Sequence, residues 1–350
     1  MATTEALIIA PQWIGDAVMT EPLLRRLWAR GERLTVGALP WVAPVYRAMP
    51  QVAEVIEFPF AHGGLQFKSR RSLARQLAGR FEVAYVCPNS LKSALLPFLA
   101  GIPKRVGYLG EARVGLLTHR LKNPSKVRRP PMVAFYSALS GEADIARDRP
   151  QLQLDAAETD TMLATMGLRR GGHYVFAPGA EYGPAKRWPA AHFAELARRL
   201  DAPVVLLGSG KEFDLCEEIA APANAGQPGK CLNLAGKTSL THAFSAIAAA
   251  KSMVSNDSGL MHVAAALGVR QVALFGSSSP LHTPPLNEQA TVLWLKNDAT
   301  YQPPLDCAPC FERVCPLGHT RCLADITPAH VLQAMQQAAQ PVREGFPGLG

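Results

Sequence analysis

At 350 residues, with 48% hydrophobic and 18% charged side chains, the chain has the bulk for two ordinary domains and the composition of a folded protein. No apolar stretch approaches the roughly 18 residues that span a bilayer. Nor does the opening Met1-Ala2-Thr3-Thr4-Glu5 carry the basic start of an export signal, so a cytosolic protein is expected. The net charge of +8 is concentrated: between Leu91 and Pro130 lie Lys92, Lys104, Arg105, Arg113, Arg120, Lys122, Lys126, Arg128 and Arg129 against Glu111 alone. Such a field favours nucleic acid, a phosphorylated glycolipid or an acidic bilayer surface, or else it is a solvated face. Only Phe98 and Tyr108 offer rings for base stacking there, which makes nucleic acid the weaker option.

In chain order, Leu7 to Ala10 reads as a buried strand, Pro11 to Asp16 as a turn, and Ala17 onward as a helix through Leu23, Leu24 and Leu27. Asp16 falls at the front of that helix beside Gly15, either as an N-cap stabilising by about 1 kcal/mol or as a functional carboxylate. Strands at 34–38, 55–58 and 83–87 alternate with helices near 41–49 and 71–79, and Pro88-Asn89-Ser90 forms a turn. A helix over 133–139 precedes a polar connection at 147–150 and another helix near 156–166. Then the pattern restarts, with a strand at 173–177, a loop at 178–189, a helix at 190–200 and a strand at 203–207. Short apolar strands alternating with helices predict open parallel sheets, and the restart near 170 predicts two of them.

The stretch Asn256-Asp257-Ser258-Gly259-Leu260-Met261-His262 lies between an apolar strand and a helix of small apolar residues, with another strand at 271–275. A helix start offers unpaired N–H groups and a positive dipole end, which suits a phosphate; a plain capped helix is the alternative. Familiar nucleotide fingerprints are near misses. Gly208-Ser209-Gly210 is followed by Phe213 where a dinucleotide site needs glycine, and Gly236-Lys237-Thr238 has Cys231 where a P-loop needs glycine. Ser258 lacks the Gly-x-Ser-x-Gly elbow of a hydrolase.

Three stretches combine into a more specific signal: Pro11-Gln12-Trp13-Ile14-Gly15-Asp16-Ala17, the run from Pro178 to Pro189 around Lys186, and Asn256 to His262. Together with Pro88 to Leu95 and Gly276 to Pro280, they resemble the lipopolysaccharide heptosyltransferases, glycosyltransferase family 9, in register from about Leu7 to Leu332. The resemblance implies an α/β GT-B fold, two Rossmann-like domains with parallel sheets facing across a cleft. Residues 1–168 would bind acceptor, 169–340 would bind donor, and 341–350 would be a tail. It further implies an inverting, metal-independent transfer of L-glycero-D-manno-heptose from ADP-heptose onto the first heptose of heptosyl-Kdo2-lipid A. It implies no cofactor and no nucleic acid, and a peripheral place for the enzyme on the cytoplasmic face of the inner membrane. The alternatives are the acceptor lacking that heptose, another nucleotide sugar, or a binding protein without catalysis; the last has no use for Asp16 and Lys186 together.

Within this frame Asp16 is the candidate base for the acceptor hydroxyl, although a helix N-terminus lowers a carboxylate's pKa and leaves positioning as the other role. Lys186 is the candidate for the leaving diphosphate. The Ser258 and Gly259 amides and His262 would take pyrophosphate, and Asp257 would take heptose hydroxyls or order the turn. Thr238 and Glu212 would lie near adenosine and ribose. Asn89, Lys92 and some of Arg105, Arg113 and Arg120 would meet the anionic acceptor.

Of seven cysteines, four cluster as Cys307-x2-Cys310-x4-Cys315-x6-Cys322 with His319 between, so a disulfide framework is not expected. They read equally as a structural zinc site or as reduced thiols in an irregular loop, remote in sequence from the proposed chemistry.

Overall fold

The computed structural model describes residues 3–60, 64–124, 130–142 and 148–337. Lys126, Arg128 and Arg129 of the basic segment, and the tail at 341–350, lie outside the described residues. The chain divides into two compact units between Gln153 and Leu154, earlier than the expected break at 168–169. Hydrogen bonding explains the earlier seam. Arg26 donates a bidentate pair to Asp148 at 2.7 and 2.9 Å, and Gln153 N donates to Ala48 O at 2.8 Å, which ties the chain to the first unit. The next helix, Ala156–Thr165, packs instead on helix Leu240–Ala248 of the second.

The first unit is built on a parallel sheet of β1 (Thr4–Ile9), β2 (Glu32–Ala38), β3 (Val52–Glu57), β4 (Val83–Val86), β5 (Lys104–Tyr108) and β6 (His119–Leu121). Their spatial order is β3-β2-β1-β4-β5-β6. Ala6, Leu7, Ile8 and Ile9 are all buried, so β1 is covered on both faces, as a central parallel strand must be. Leu7 and Ile9 pack with Phe58, Leu73, Leu77 and Leu96 in one core.

The second sheet repeats the pattern with β7 (Tyr174–Ala177), β8 (Val204–Leu206), β9 (Cys231–Asn233), β10 (Met253–Asn256), β11 (Gln271–Leu274) and β12 (Ala290–Leu293). Its order is β12-β11-β10-β7-β8-β9. Each unit therefore has the doubly wound order 3-2-1-4-5-6, whose first and fourth strands lie side by side while their chain connections run in opposite directions. Ligands bind outside the carboxyl ends of the strands at that reversal. It falls between β1 and β4 in one unit and between β7 and β10 in the other.

Strands β5 and β6 lie inside the segment read from sequence as a basic surface. Lys104-Arg105-Val106-Gly107-Tyr108 pairs with β4, and its Val106, Gly107 and Tyr108 are buried. The charge excess hid a sheet strand.

Candidate functional site

At the first reversal the chain leaves β1 through Ala10 to Trp13 and enters helix Ile14–Met19. Trp13 is the N-cap residue, so Asp16 is the third residue of the helix rather than its cap. Its carboxylate Oδ1 accepts a 2.8 Å hydrogen bond from the Tyr136 hydroxyl. Burial, reinforced by the nearby Asp16, raises the Tyr136 phenol well above its ordinary value, so it stays a donor. Behind it, buried Tyr46 meets the Thr20 hydroxyl at 3.1 Å.

Asp16 opens onto a cavity of about 610 Å³ lined by Gln12, Trp13, Asn89, Lys92, Glu111 and Tyr136 among others. Of the sequence-predicted acceptor residues, the structure brings Asn89 and Lys92 to Asp16. It does not bring the three arginines. Arg113 is fully buried and donates to Pro88 O, to Asn89 Oδ1 at 2.8 Å and to Tyr108 O. Its guanidinium is spent on holding the Pro88–Ser90 turn, and no face is left for a ligand. Arg105 stands at the amino end of β5, away from the carboxyl edge, and donates to Ile102 O and Leu116 O while stacking on Phe98 at 5.5 Å. Arg120 is exposed on edge strand β6.

At the second reversal, the loop from β7 carries Lys186 on a short 3-10 turn, Pro184–Lys186, and β10 delivers Asp257. Lys186 Nζ lies 2.5 Å from Asp257 Oδ2, with the Lys side chain 20% and the Asp side chain 6% exposed. Lys186 is thus half of an ion pair, a partner that the sequence reading did not anticipate. Asp257 also accepts from Thr283 at 3.4 Å, so its main protein role is to aim Lys186.

Ser258 is the N-cap residue of helix Gly259–Ala266, yet its hydroxyl makes no capping bond. Among the described residues the buried hydroxyls of Ser258, Ser277 and Ser278 find no hydrogen-bond partner in the protein. Buried hydroxyls are normally satisfied, and Ser252 and Ser255 of the same unit share this unpaired state. His262, one turn into the helix, is buried; burial outweighs the attraction of Asp257 and lowers its pKa to about 4. It is neutral at pH 7 and can supply a hydrogen bond but not a charge.

Asn256, within the recognised motif but given no role from sequence, holds the loop. Its Oδ1 accepts from Trp188 N at 3.0 Å and its Nδ2 donates to Pro178 O at 2.7 Å. Buried Trp188 fixes the far end through Nε1 to Ile326 O at 2.8 Å. Glu212 is buried and receives Ser209 N and Oγ, both at 2.6 Å, on one carboxylate oxygen. A Cβ on Gly179 would stand 2.7 Å from its other oxygen, so Glu212 abuts the start of the Lys186 loop. Thr238 is half-buried on the turn after β9. That turn touches the Glu212 turn where Gly236, at φ +70°, leaves room for Gly210 Cα; a Cβ would stand 2.7 Å away.

Sequence reasoning missed Tyr136, Ser277, Ser278 and Thr283 as contributors. Ser277 and Ser278 had a signal in the matching Gly276–Pro280 stretch, whereas nothing local ties Tyr136 to a carboxylate 120 positions away.

The glycosyltransferase family 9 (heptosyltransferase) pattern matches residues 70–320. Lipopolysaccharide heptosyltransferase 2 of Escherichia coli K12 is 43% identical over 94% of this chain and 97% of its own. Lipooligosaccharide heptosyltransferase 2 of Haemophilus influenzae is 39% identical over 83% and 88%. The solved structure of E. coli ADP-heptose lipopolysaccharide heptosyltransferase II matches with a TM-score of 0.80 at 40% identity, over 95% of this chain and 98% of that one. With paired doubly wound sheets and signature motifs at both reversals, the chain belongs to glycosyltransferase family 9, the heptosyltransferase family, and is an α/β enzyme of GT-B fold.

Proposed function

We propose that this chain transfers heptose from ADP-heptose to heptosyl-Kdo2-lipid A, the first unit binding acceptor and the second binding donor. The observation that supports this most is the placing of Asp16 and of the Lys186–Asp257 pair at equivalent sheet reversals of the two units. One reversal offers a carboxylate to a hydroxyl, and the other offers cation, amides and unpaired hydroxyls to a diphosphate.

In the proposed reaction the acceptor oxygen attacks the anomeric carbon as its proton passes to Asp16. The bond from that carbon to the diphosphate oxygen breaks, and its electron pair leaves with ADP. Attack opposite the leaving group inverts the centre. Tyr136 holds the Asp16 carboxylate in one orientation. Lys186 meets the charge that grows on the leaving diphosphate, so the step proceeds without a metal ion. The Ser258 and Gly259 amides, at the positive end of an eight-residue helix, take pyrophosphate oxygens with help from His262, Ser277 and Ser278. Thr238 and Glu212 lie toward the nucleoside, and Asn89 and Lys92 toward the acceptor.

The same reading places the enzyme peripherally on the cytoplasmic face of the inner membrane, where such a lipid is made. Among the described residues no helix is long and apolar enough to cross a membrane. Trp13 at 48% and Leu91 at 37% exposure stand on the rim of the Asp16 cavity. They are the kind of side chains that dip into a lipid interface. Purified protein should release ADP from ADP-heptose with heptosyl-Kdo2-lipid A in EDTA, and should float with vesicles containing that acceptor. Release with Kdo2-lipid A but not with the heptose-primed acceptor would overturn the acceptor assignment.

A further inference from the structure

The four clustered cysteines take no part in the chemistry above, but they converge in space. Cys307, Cys310, Cys315 and Cys322, with His319, line one small enclosed cavity of about 20 Å³. No disulfide joins them. Two further contacts shape the walls. The Cys322 sulfur packs against the end of β11, where a Cβ on Gly276 would stand 2.9 Å from Sγ. Gly318 N donates to Cys315 O at 3.1 Å, closing a turn immediately after that cysteine.

We propose that these four thiols bind one divalent transition-metal ion that prefers tetrahedral sulfur ligation, zinc or ferrous iron. Among the described residues no three His, Cys, Asp or Glu side chains already stand at metal-ligand spacing. Binding therefore turns the thiols inward from the cavity wall by rotamer changes, with release of their protons. The spacing supplies what such a site needs: a Cys-x2-Cys pair on one strand of loop and two further cysteines from the next. The turn after Cys315 supplies the outer support usual for a metal-bound thiolate.

The site reaches the donor loop. Ala185, beside Lys186, lines the cavity and its N–H donates to Arg313 O at 3.1 Å. Tyr182 donates to Phe311 O at 2.9 Å, and a Cβ on Gly183 would lie 2.3 Å from Arg313 O. Residues 311–313 sit between Cys310 and Cys315, so a metal that clamps the cysteines also stiffens the turn carrying Lys186. This consequence, though not the metal site, rests on the function proposed above.

The test is metal analysis of full-length protein purified under reducing conditions without chelator, followed by chelation and titration with Co²⁺. About one equivalent of zinc or iron is expected, and the metal found distinguishes the two. Cobalt should give the absorption of a tetrahedral thiolate complex. Cys310→Ser and Cys322→Ser should each lose most of the metal, while Cys216→Ala, in the core of the second unit, keeps it. Should the serine variants not fold, chelation and reconstitution of the parent protein still decide. Metal removal should lower the melting temperature and raise KM for ADP-heptose several-fold, with restoration on reloading. Background metal in the purified protein together with no cobalt–thiolate absorption would overturn the site, as would a native disulfide among the four. Bound metal with an unchanged KM would leave the site standing and overturn only its link to Lys186.

Discussion

The two sheet reversals share one topology and solve opposite electrostatic problems. In the first unit the Asp16 carboxylate accepts from a neutral phenol, Tyr136, and opens onto a broad cavity. In the second, Asp257 is matched to Lys186, His262 is kept neutral by burial, and among the described residues the hydroxyls of Ser258, Ser277 and Ser278 find no protein partner. A site that must hold a diphosphate needs its own carboxylate neutralised first, or that carboxylate repels the ligand. In the proposed reaction the same fold position serves either end, with a phenol facing one aspartate and an ammonium facing the other.

The sharpest way to break the comparison is at Asp16. Asp16→Asn keeps the shape and removes the base, so kcat should fall about 100- to 10,000-fold with KM for ADP-heptose little changed. A kcat within about threefold of the parent would leave Asp16 as a positioning group only. Next in size, Lys186→Ala should lower kcat/KM about 100- to 1,000-fold and leave Asp257 buried without its cation. Stability should fall too, by about 1–3 kcal/mol, since the pair is partly solvated. A Lys186→Ala, Asp257→Ala cycle should show coupling on the order of 1 kcal/mol or more; simple additivity would mean the two act separately. Tyr136→Phe should cost about tenfold in kcat by loosening one hydrogen bond, and unchanged kinetics would show that Asp16 is held by other contacts.

The smallest effect distinguishes the units by pH. His262, lowered from 6.5 to about 4 by burial, binds fewer protons folded than unfolded in that window, so its unit loses stability as pH falls from 6.5 toward 4. Glu21 in the first unit is raised by burial from 4.5 to about 7, against the pull of Arg25 and of hydrogen bonds from Gln151 N and Gln51. It binds more protons folded than unfolded between those values, so its unit loses stability as pH rises from 4.5 to 7. Each slope is at most about 1.4 kcal/mol per pH unit. Hydrogen exchange of peptides from each unit at pH 5 and 7, with Glu21→Gln and His262→Gln, should show opposite trends that each variant flattens. Parallel trends in both units would refute the assignment.

How much of this was readable beforehand follows the range of the interactions. Strand, turn and helix are local, so the motif stretches near 178–189 and 256–262 were placed on the right elements, the turn after β1 was read three residues too long because the helix begins at Ile14, and the restart of the pattern announced two sheets. Charge misled where it was counted without direction. Arg113 looks like any surface arginine in sequence, yet the carbonyls around Pro88 and Tyr108 enclose it. Arg105 begins a strand, which puts it at the wrong end of the sheet for a ligand. The ion pair of Asp257 with Lys186 was not legible, because the two sit 71 residues apart and no spacing rule predicts a pair of that separation.

The seam between Gln153 and Leu154 also bears on how the protein is made. Every strand of the first sheet precedes it, and the last of them ends at Leu121. All of that sheet's pairing partners therefore leave the ribosome before any strand of the second is translated, and β1 waits only for β4 to complete its neighbours. Domains generally fold as units in synthesis order. The half that carries Asp16 can close its core while the half that carries Lys186 is still unmade, which keeps two sheets of identical strand order from exchanging strands.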